Sequence, residues 1–316
     1  MPEKCVLLIG GGGTLGSYTA QELLTLGHQV DIICLEDKRS DDPRLRYYKT
    51  EATLPTLTTF LQHRHYDGIV NFLHYLDADA YAPVHELLCT HTDHLIFLSS
   101  YRVYGDLQHP ITESAPHLLD ISDDQDFLAN EDYAIAKARV ERYLWNESTH
   151  RNWTIVRPVI SFSQYRLDMV IRSRNAIVDH ARSQTPMLMP SAARDVTAGL
   201  DWAGNSGKLI ANLLFKPHAI GQAYTISSAQ NLTWGEIADI YTKLLGVQFQ
   251  WVDTDAYFDH YQTSQNGRWT LLYDRLYDRK IDNSKVLRDT ALPPEAFLSI
   301  EEGLRIELSK LGISPL

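Results

Sequence analysis

The sequence predicts an α/β protein: a doubly wound parallel sheet followed by a smaller mixed α/β lobe. Three observations predict it. Short apolar runs alternate with amphipathic stretches through the first half of the chain. The runs are almost wholly apolar, as parallel strands covered on both faces must be, rather than alternating as half-exposed strands are. The first run passes directly into a glycine-rich turn that opens a helix.

The strand-like runs are "CVLLIG" (5–10), "QVDIICL" (29–35), "GIVNFL" (68–73), "HLIFLSS" (94–100) and "WTIVRP" (153–158). Helical patterns fill the intervals at 14–27, about 53–64, 78–91 and about 130–149. Right-handed crossovers between parallel strands leave the doubly wound arrangement as the simplest topology. The pattern changes after Arg157-Pro158, where proline excludes helix from the residue before it. Beyond it come isolated strands such as "AYTIS" (223–227) and mixed helices such as "TWGEIADIYTKLLG" (233–246). That helix carries its own boundaries: Thr233 and Glu236 form a capping box, and Gly246 ends it. We expect residues 1–159, with about 195–229 returning, to form a dinucleotide-binding domain. We expect about 160–194 and 230–316 to form a substrate-binding lobe.

Bulk properties narrow the function classes. No apolar run approaches the ~18 residues of a membrane helix, and the N-terminal apolar run is too short for a signal segment. Three widely spaced cysteines, Cys5, Cys34 and Cys89, suggest neither a disulfide framework nor a zinc knuckle. We expect a cytoplasmic protein that does not enter membranes. The closest histidine groupings, His63/His65 and His91/His94, have no evident carboxylate partner, so no metal site is expected. A net charge of −11 opposes nonspecific nucleic-acid binding, which needs a positive field.

The glycines satisfy a dinucleotide-binding spacing. Gly10, Gly13 and Gly16 read G-x-x-G-x-x-G, and Gly11, Gly13 and Gly16 read G-x-G-x-x-G. Here the backbone can approach a pyrophosphate, and Thr14, Leu15 and Gly16 open a helix whose amides and dipole favour anions. The tip of the second strand should read the adenosine ribose, and it reads "CLEDKR". Glu36 or Asp37 beside Cys34 would bind ribose hydroxyls; Lys38 and Arg39 would accept a 2′-phosphate; a solvated, charged turn is the plain alternative. The cofactor is expected to be NAD or NADP, with NAD favoured.

Ser99 and Ser100 follow the fourth apolar run, where open parallel sheets bind ligands. Some thirty residues later, "YAIAK" sets Tyr133 and Lys137 four apart, on one face of a helix. Alone the pair could be surface decoration. Beside a strand-end serine it becomes a proton-transfer set. Tyrosine at its ordinary pKa is a poor base at neutral pH, a nearby ammonium favours tyrosinate, and a serine hydroxyl can orient a substrate oxygen.

With these residues in view, the chain resembles the extended short-chain dehydrogenase/reductases of the NAD-dependent epimerase/dehydratase kind. The matching elements are the three glycines, "SSYRVYG", "PITESAP" (110–116), Tyr133 with Lys137 and Glu141, Arg157-Pro158 and "IDNSKV" (281–286). The resemblance implies a Rossmann fold, with Ser100 as catalytic serine, Tyr133 as base, and Lys137 tuning it and holding the cofactor ribose. It also implies a homodimer built on the helices at 78–91 and 130–149. Three departures stand out. Tyr101 and Arg102 occupy the positions where dehydratases carry Asp-Glu. "VISFSQYR" follows Arg157-Pro158 where nucleotide-sugar enzymes continue differently. Cys34 takes the place of the ribose-binding aspartate.

On the substrate side, Ser99 and Tyr101 are candidate contacts. "YDRLYDRK" (273–280) spaces Arg275 and Arg279 to share a helix face. They could clamp a diphosphate or pair with Asp274 and Asp278 on a solvated face. The leading expectation is an NAD(P)-dependent oxidoreductase or epimerase acting on a small-molecule alcohol or ketone, of a sugar or nucleotide sugar. The alternative is a non-catalytic NAD(P)-binding module, related to RNA-binding or redox-sensing proteins.

Overall fold

The computed structural model describes residues 2–131 and 133–316. Strand β1 (Cys5–Ile9) leads into α1 (Thr14–Thr25), β2 (Gln29–Cys34), β3 (Leu45–Lys49), α2 (Leu54–Leu61), β4 (Tyr66–Asn71), α3 (Ala78–Thr90) and β5 (Thr92–Leu98). Two short helices, α4 (Leu118–Ile121) and α5 (Gln125–Asn130), precede α6 (Ala134–Asn146) and β6 (Trp153–Pro158). The rest comprises β7 (Ile160–Phe162), β8 (Asp168–Met169), β9 (Arg172–Ser173), α7 (Arg174–Ser183), β10 (Met187–Pro190), β11 (Leu200–Trp202), α8 (Ala203–Leu213), β12 (Gln222–Ile226), α9 (Trp234–Leu245), β13 (Phe249–Val252), α10 (Thr254–Tyr261), α11 (Gln265–Thr270), α12 (Ser284–Thr290) and α13 (Ile300–Lys310).

Seven strands pair in the order β3-β2-β1-β4-β5-β6-β12, parallel throughout. The order reverses between β1 and β4, which opens a crevice at the strands' carboxyl ends. Successive β1 side chains enter opposite cores, as strand geometry requires. Val6 and Leu8 pack with Leu209 and Leu213 of α8, while Leu7 and Ile9 pack with Leu57 of α2, Leu88 of α3 and Leu144 of α6. The five apolar runs read from the sequence all become strands of this sheet, and so does the later run around 223–227. The edge strand β3, "LRYYK", was not anticipated. It is half-exposed and charged, so it lacks the apolar signature of its neighbours.

A second core lies beyond the sheet. Trp234, Tyr241, Phe258, Leu271, Leu304 and Leu308 pack there with Tyr101, Tyr104 and Phe162. Helix α9 has its Thr233–Glu236 capping box, and Gly246 ends it at φ 70°. Helix α12 differs from expectation: it packs on α8 and β12, so residues 284–290 return to the sheet rather than staying in the smaller lobe.

Candidate active site

The glycine turn is shaped by two close constraints. Gly10 holds φ +72°, a left-handed conformation that strains other residues. At Gly16 a Cβ would stand 2.3 Å from the Gly11 Cα, so only glycine lets α1 begin against the turn. Around Gly13, by contrast, a Cβ would meet nothing within 4 Å. Gly13 is the N-cap of α1 and supplies no capping side chain, so the first-turn amides of Thr14, Leu15 and Gly16 are left to an outside acceptor. Open space above unsatisfied amides is what a pyrophosphate requires, and the site fits a dinucleotide.

Beside the turn, Gly10, Gly12, Gly13, Cys34, Glu36 and Thr50 to Thr53 line a cavity of about 440 Å³. Cys34 is buried at the tip of β2 and Glu36 reaches over Gly12. Lys38 does not face this cavity as a free cation: its Nζ donates to the Gly12 carbonyl at 2.5 Å and lies over the Tyr165 ring. The acidic Glu36, not the basic Lys38, therefore lines this cavity, an arrangement suited to NAD.

A second cavity of about 420 Å³ runs from Gly10, Gly13, Thr14, Leu15 and Gly16 to Ser99, Ser100, Tyr101, Arg102 and Tyr133. Thus the turn, both serines and the tyrosine share one space. Ser100 caps the short turn Tyr101–Val103, its Oγ accepting from Arg102 N at 3.2 Å. Tyr133 is the N-cap of α6 rather than a residue within it, so the helix begins later than the sequence suggests. The Glu131 carboxylate causes this start: it accepts from the amides of Tyr133 and Ile135, both at 3.0 Å. The tyrosine ring lies between His74, at 5.4 Å between centroids, and the Arg102 guanidinium, at 5.3 Å.

Lys137 is more deeply placed than the sequence implies. It is buried, and its Nζ donates to the carbonyls of Leu73 (3.0 Å) and Leu98 (2.6 Å), which close the ends of β4 and β5. Burial pushes its ammonium down to about 7, against the pull of Glu141. Glu141 in turn grips Arg157: three contacts of 2.5 to 3.1 Å tie α6 to β6. Burial alone would raise the Glu141 carboxyl, but Arg157 outweighs it and holds it below the usual range, helped by His117. Arg157 also donates to the Tyr104 hydroxyl at 2.7 Å, which fixes the "VYG" turn over the sheet.

The two arginines expected to act together are separated. Their segment is a π-turn over Leu271–Arg275 followed by irregular chain, not an α-helix. Arg275 lines the cavity and donates to the Tyr101 hydroxyl at 2.9 Å. Arg279 does not line it. It is buried against Asp274 and donates to the Tyr104 carbonyl at 3.0 Å, a structural fixture rather than half of a clamp. Asp274 is no solvated partner either, being fully buried among Arg102, Arg275 and Arg279.

Sequence reasoning missed Glu131 and Arg166, which meet the others only in three dimensions. Arg166 follows β7 in the atypical segment after Pro158, which crosses the glycine turn. Ser163 and Thr14 hydroxyls lie 2.9 Å apart, and Gln164 N donates to the buried Glu307 of α13 at 2.6 Å. The unusual composition of "VISFSQYR" was the available signal.

Residues 6–201 match the model of the NAD dependent epimerase/dehydratase family. Among curated proteins, none matches the sequence. Solved structures share the fold over nearly the whole chain. The epimerase Mth375 of Methanothermobacter thermautotrophicus superposes with TM-score 0.70 at 17% identity, covering 98% of this chain and 94% of that one. WbmG of Bordetella bronchiseptica, in complex with NAD and UDP, gives 0.70 at 16% identity, with 98% and 95% covered. The UDP-glucose-4-epimerase of Stenotrophomonas maltophila, with NAD and formylated UDP-arabinopyranose, gives 0.69 at 15% identity, with 97% of each chain covered.

Proposed function

The chain belongs to the NAD-dependent epimerase/dehydratase family, and from that premise we propose that it inverts a secondary alcohol centre of a nucleotide sugar. One observation carries the reading: Ser100 and Tyr133 open onto the same cavity as the dinucleotide turn. When bound, NAD supplies the acceptor and then the donor of a hydride. Gly13 to Gly16 hold its phosphates, and Glu36 faces its adenosine ribose. Ser100 orients the substrate oxygen, and Tyr133 takes the hydroxyl proton and returns it. Lys137 spends two ammonium protons on strand-end carbonyls and keeps a third for the cofactor side. Dehydration is not favoured, because Tyr101 and Arg102 stand where acid and base would be needed, and the Tyr101 hydroxyl is held by Arg275. The nucleotide-sugar class is supported by similar folds solved with UDP or UDP-sugars.

Replacing Tyr133 by Phe tests the reading. Turnover of UDP-sugars should fall by roughly 10²–10⁴-fold, the usual worth of a general base, while calorimetric NAD binding is retained. Turnover that survives the substitution would overturn the role. No helix among the described residues is long and apolar enough to cross a membrane. We place the enzyme in the cytoplasm, a reading supported by its three free cysteines. We also propose a homodimer through the outer faces of α3 and α6, where Trp145 is exposed. A monomeric sedimentation coefficient would refute it.

A further inference from the structure

Around Tyr133 the cavity is lined by three guanidiniums, those of Arg102, Arg166 and Arg275. They come from separate segments: the turn after β5, the loop after β7, and the π-turn 271–275. Arg102 lies over the Tyr133 ring at 5.3 Å, contacting Glu131 at 3.4 Å and Asp274 at 3.3 Å. Arg275 is buried, paired with Asp274 and 3.9 Å from Asp168. Arg166 is half-exposed and pairs with Asp168 at 2.6 Å. Counting Arg279, which shares Asp274, four guanidiniums meet three carboxylates among the described residues of this cluster, Glu131, Asp168 and Asp274. Among the described residues this network carries one positive charge more than its carboxylates: Arg279 brings it from behind the cavity wall by sharing Asp274 with Arg102 and Arg275, which are themselves largely withdrawn from water. Excess charge in such surroundings is costly unless a ligand supplies its opposite. Guanidinium forks suit planar, bidentate anions above all.

Resting on the epimerase reading, we propose that the substrate carries a carboxylate beside its reacting carbon, held by Arg102 with Arg166 and Arg275, as in a uronic acid. The position decides between anions. The phosphates of the dinucleotide face the Gly13–Gly16 amides at the other end of the cavity, whereas Arg102 shares its place with Tyr133, where the carbinol must lie. The carboxylate would complete the charge balance of the cluster. It would also fix which face of the carbinol carbon meets the cofactor, because a bidentate pair resists rotation.

The test is calorimetric binding to the NAD-loaded protein with ligands matched except at one group: UDP-glucuronate against UDP-glucose, and free glucuronate against free glucose. We expect the acid to bind at least about 10-fold more tightly than its neutral partner, the effect of one charge-assisted pair. Arg102→Leu should abolish that preference and leave NAD affinity unchanged. Should Arg102→Leu be poorly folded, Arg166→Leu on the half-exposed loop gives the same reading with a smaller loss. A preference in the free sugars without any binding of the UDP compounds would keep this inference while refuting the nucleotide-sugar reading. Equal affinity in both pairs would overturn the inference. So would a loss of NAD affinity in Arg102→Leu in place of the lost preference, which would assign the arginine to the cofactor.

Discussion

At one end of the cavity, Thr14, Leu15 and Gly16 offer main-chain amides from three consecutive residues. At the other, Ser100, Arg102, Tyr133, Arg166 and Arg275 offer side chains from four distant segments. On the proposed reading, the first end recognises a phosphate group common to every dinucleotide, so backbone and helix dipole suffice. The second must distinguish one small molecule from another, and only side chains can do that. On that reading the chain meets its two ligands by different physics, and the two ends should fail differently when altered.

The largest effect on cofactor binding is expected at the backbone end. Gly16→Val would place carbon 2.3 Å from Gly11 Cα, and neither main chain can yield without moving α1 off the turn. We expect NAD affinity to fall by roughly 100-fold, equivalent to an overpacking penalty near the top of the usual range of about 1–3 kcal/mol. Calorimetric titration with NAD, with a melting curve to establish that the variant folds, checks this. Unchanged affinity would mean that the turn does not hold the cofactor.

That contrast also explains how much could be read in advance. The turn was legible because its meaning lies in local spacing after an apolar strand, and the sheet was legible because buried parallel strands are continuous apolar runs. The shared placement of Ser100 and Tyr133 beside the turn was legible through a resemblance that couples short motifs to a fold. The charged cluster was not. Arg102 was noticed only as a departure, and Arg166 and Glu131 only after folding brought residues 102, 131, 166 and 275 together. Arg275 and Arg279 misled because four-residue spacing implies a shared face only on an α-helix, and a π-turn followed by irregular chain does not preserve it.

Lys137 lies between the two ends, and it sharpens the comparison because its burial serves function at the expense of stability. Its ammonium is pushed from the ordinary lysine value of 10.5 down to about 7 by burial. The unfolded chain therefore binds this proton more tightly than the folded one. At pH 7 and below, the fold bears nearly the whole penalty, up to about 5 kcal/mol for a shift of this size. As pH rises from 7 to 10.5, the penalty disappears. Lys137→Met should accordingly raise the chemical-denaturation midpoint at pH 6, less the two lost carbonyl hydrogen bonds, and the gain should vanish near pH 10.5. The same variant should lose turnover. A destabilised variant at pH 6 would show that the ammonium strengthens the strand ends rather than straining them.

Farthest from the cavity, acid separates the sheet from the smaller lobe. His85 and His94, both in the sheet half, are buried and pushed down to about 4, in each case first by burial. Their neutral rings are used: His85 Nε2 meets Ser148 Oγ at 2.7 Å, and His94 Nε2 meets Thr154 Oγ1 at 2.8 Å while Nδ1 accepts from Phe215 N. His117, edge-on to Tyr104 of the second core at 5.8 Å, is also held below its ordinary value, first by burial, but helices α9 and α13 contain no histidine. For each ring the folded pKa lies below the unfolded one, so its contribution is complete above pH 6.5 and is lost as pH falls toward 4. A shift of this size corresponds to roughly 3 kcal/mol per histidine at the acid limit. Hydrogen exchange measured between pH 7 and pH 4.5, corrected for intrinsic rates, should therefore show protection failing first in α3, β5 and β6 while α9 and α13 hold. Uniform loss, or earlier loss in α9, would mean that the two cores share one cooperative unit and that the division seen in the cavity does not extend to stability.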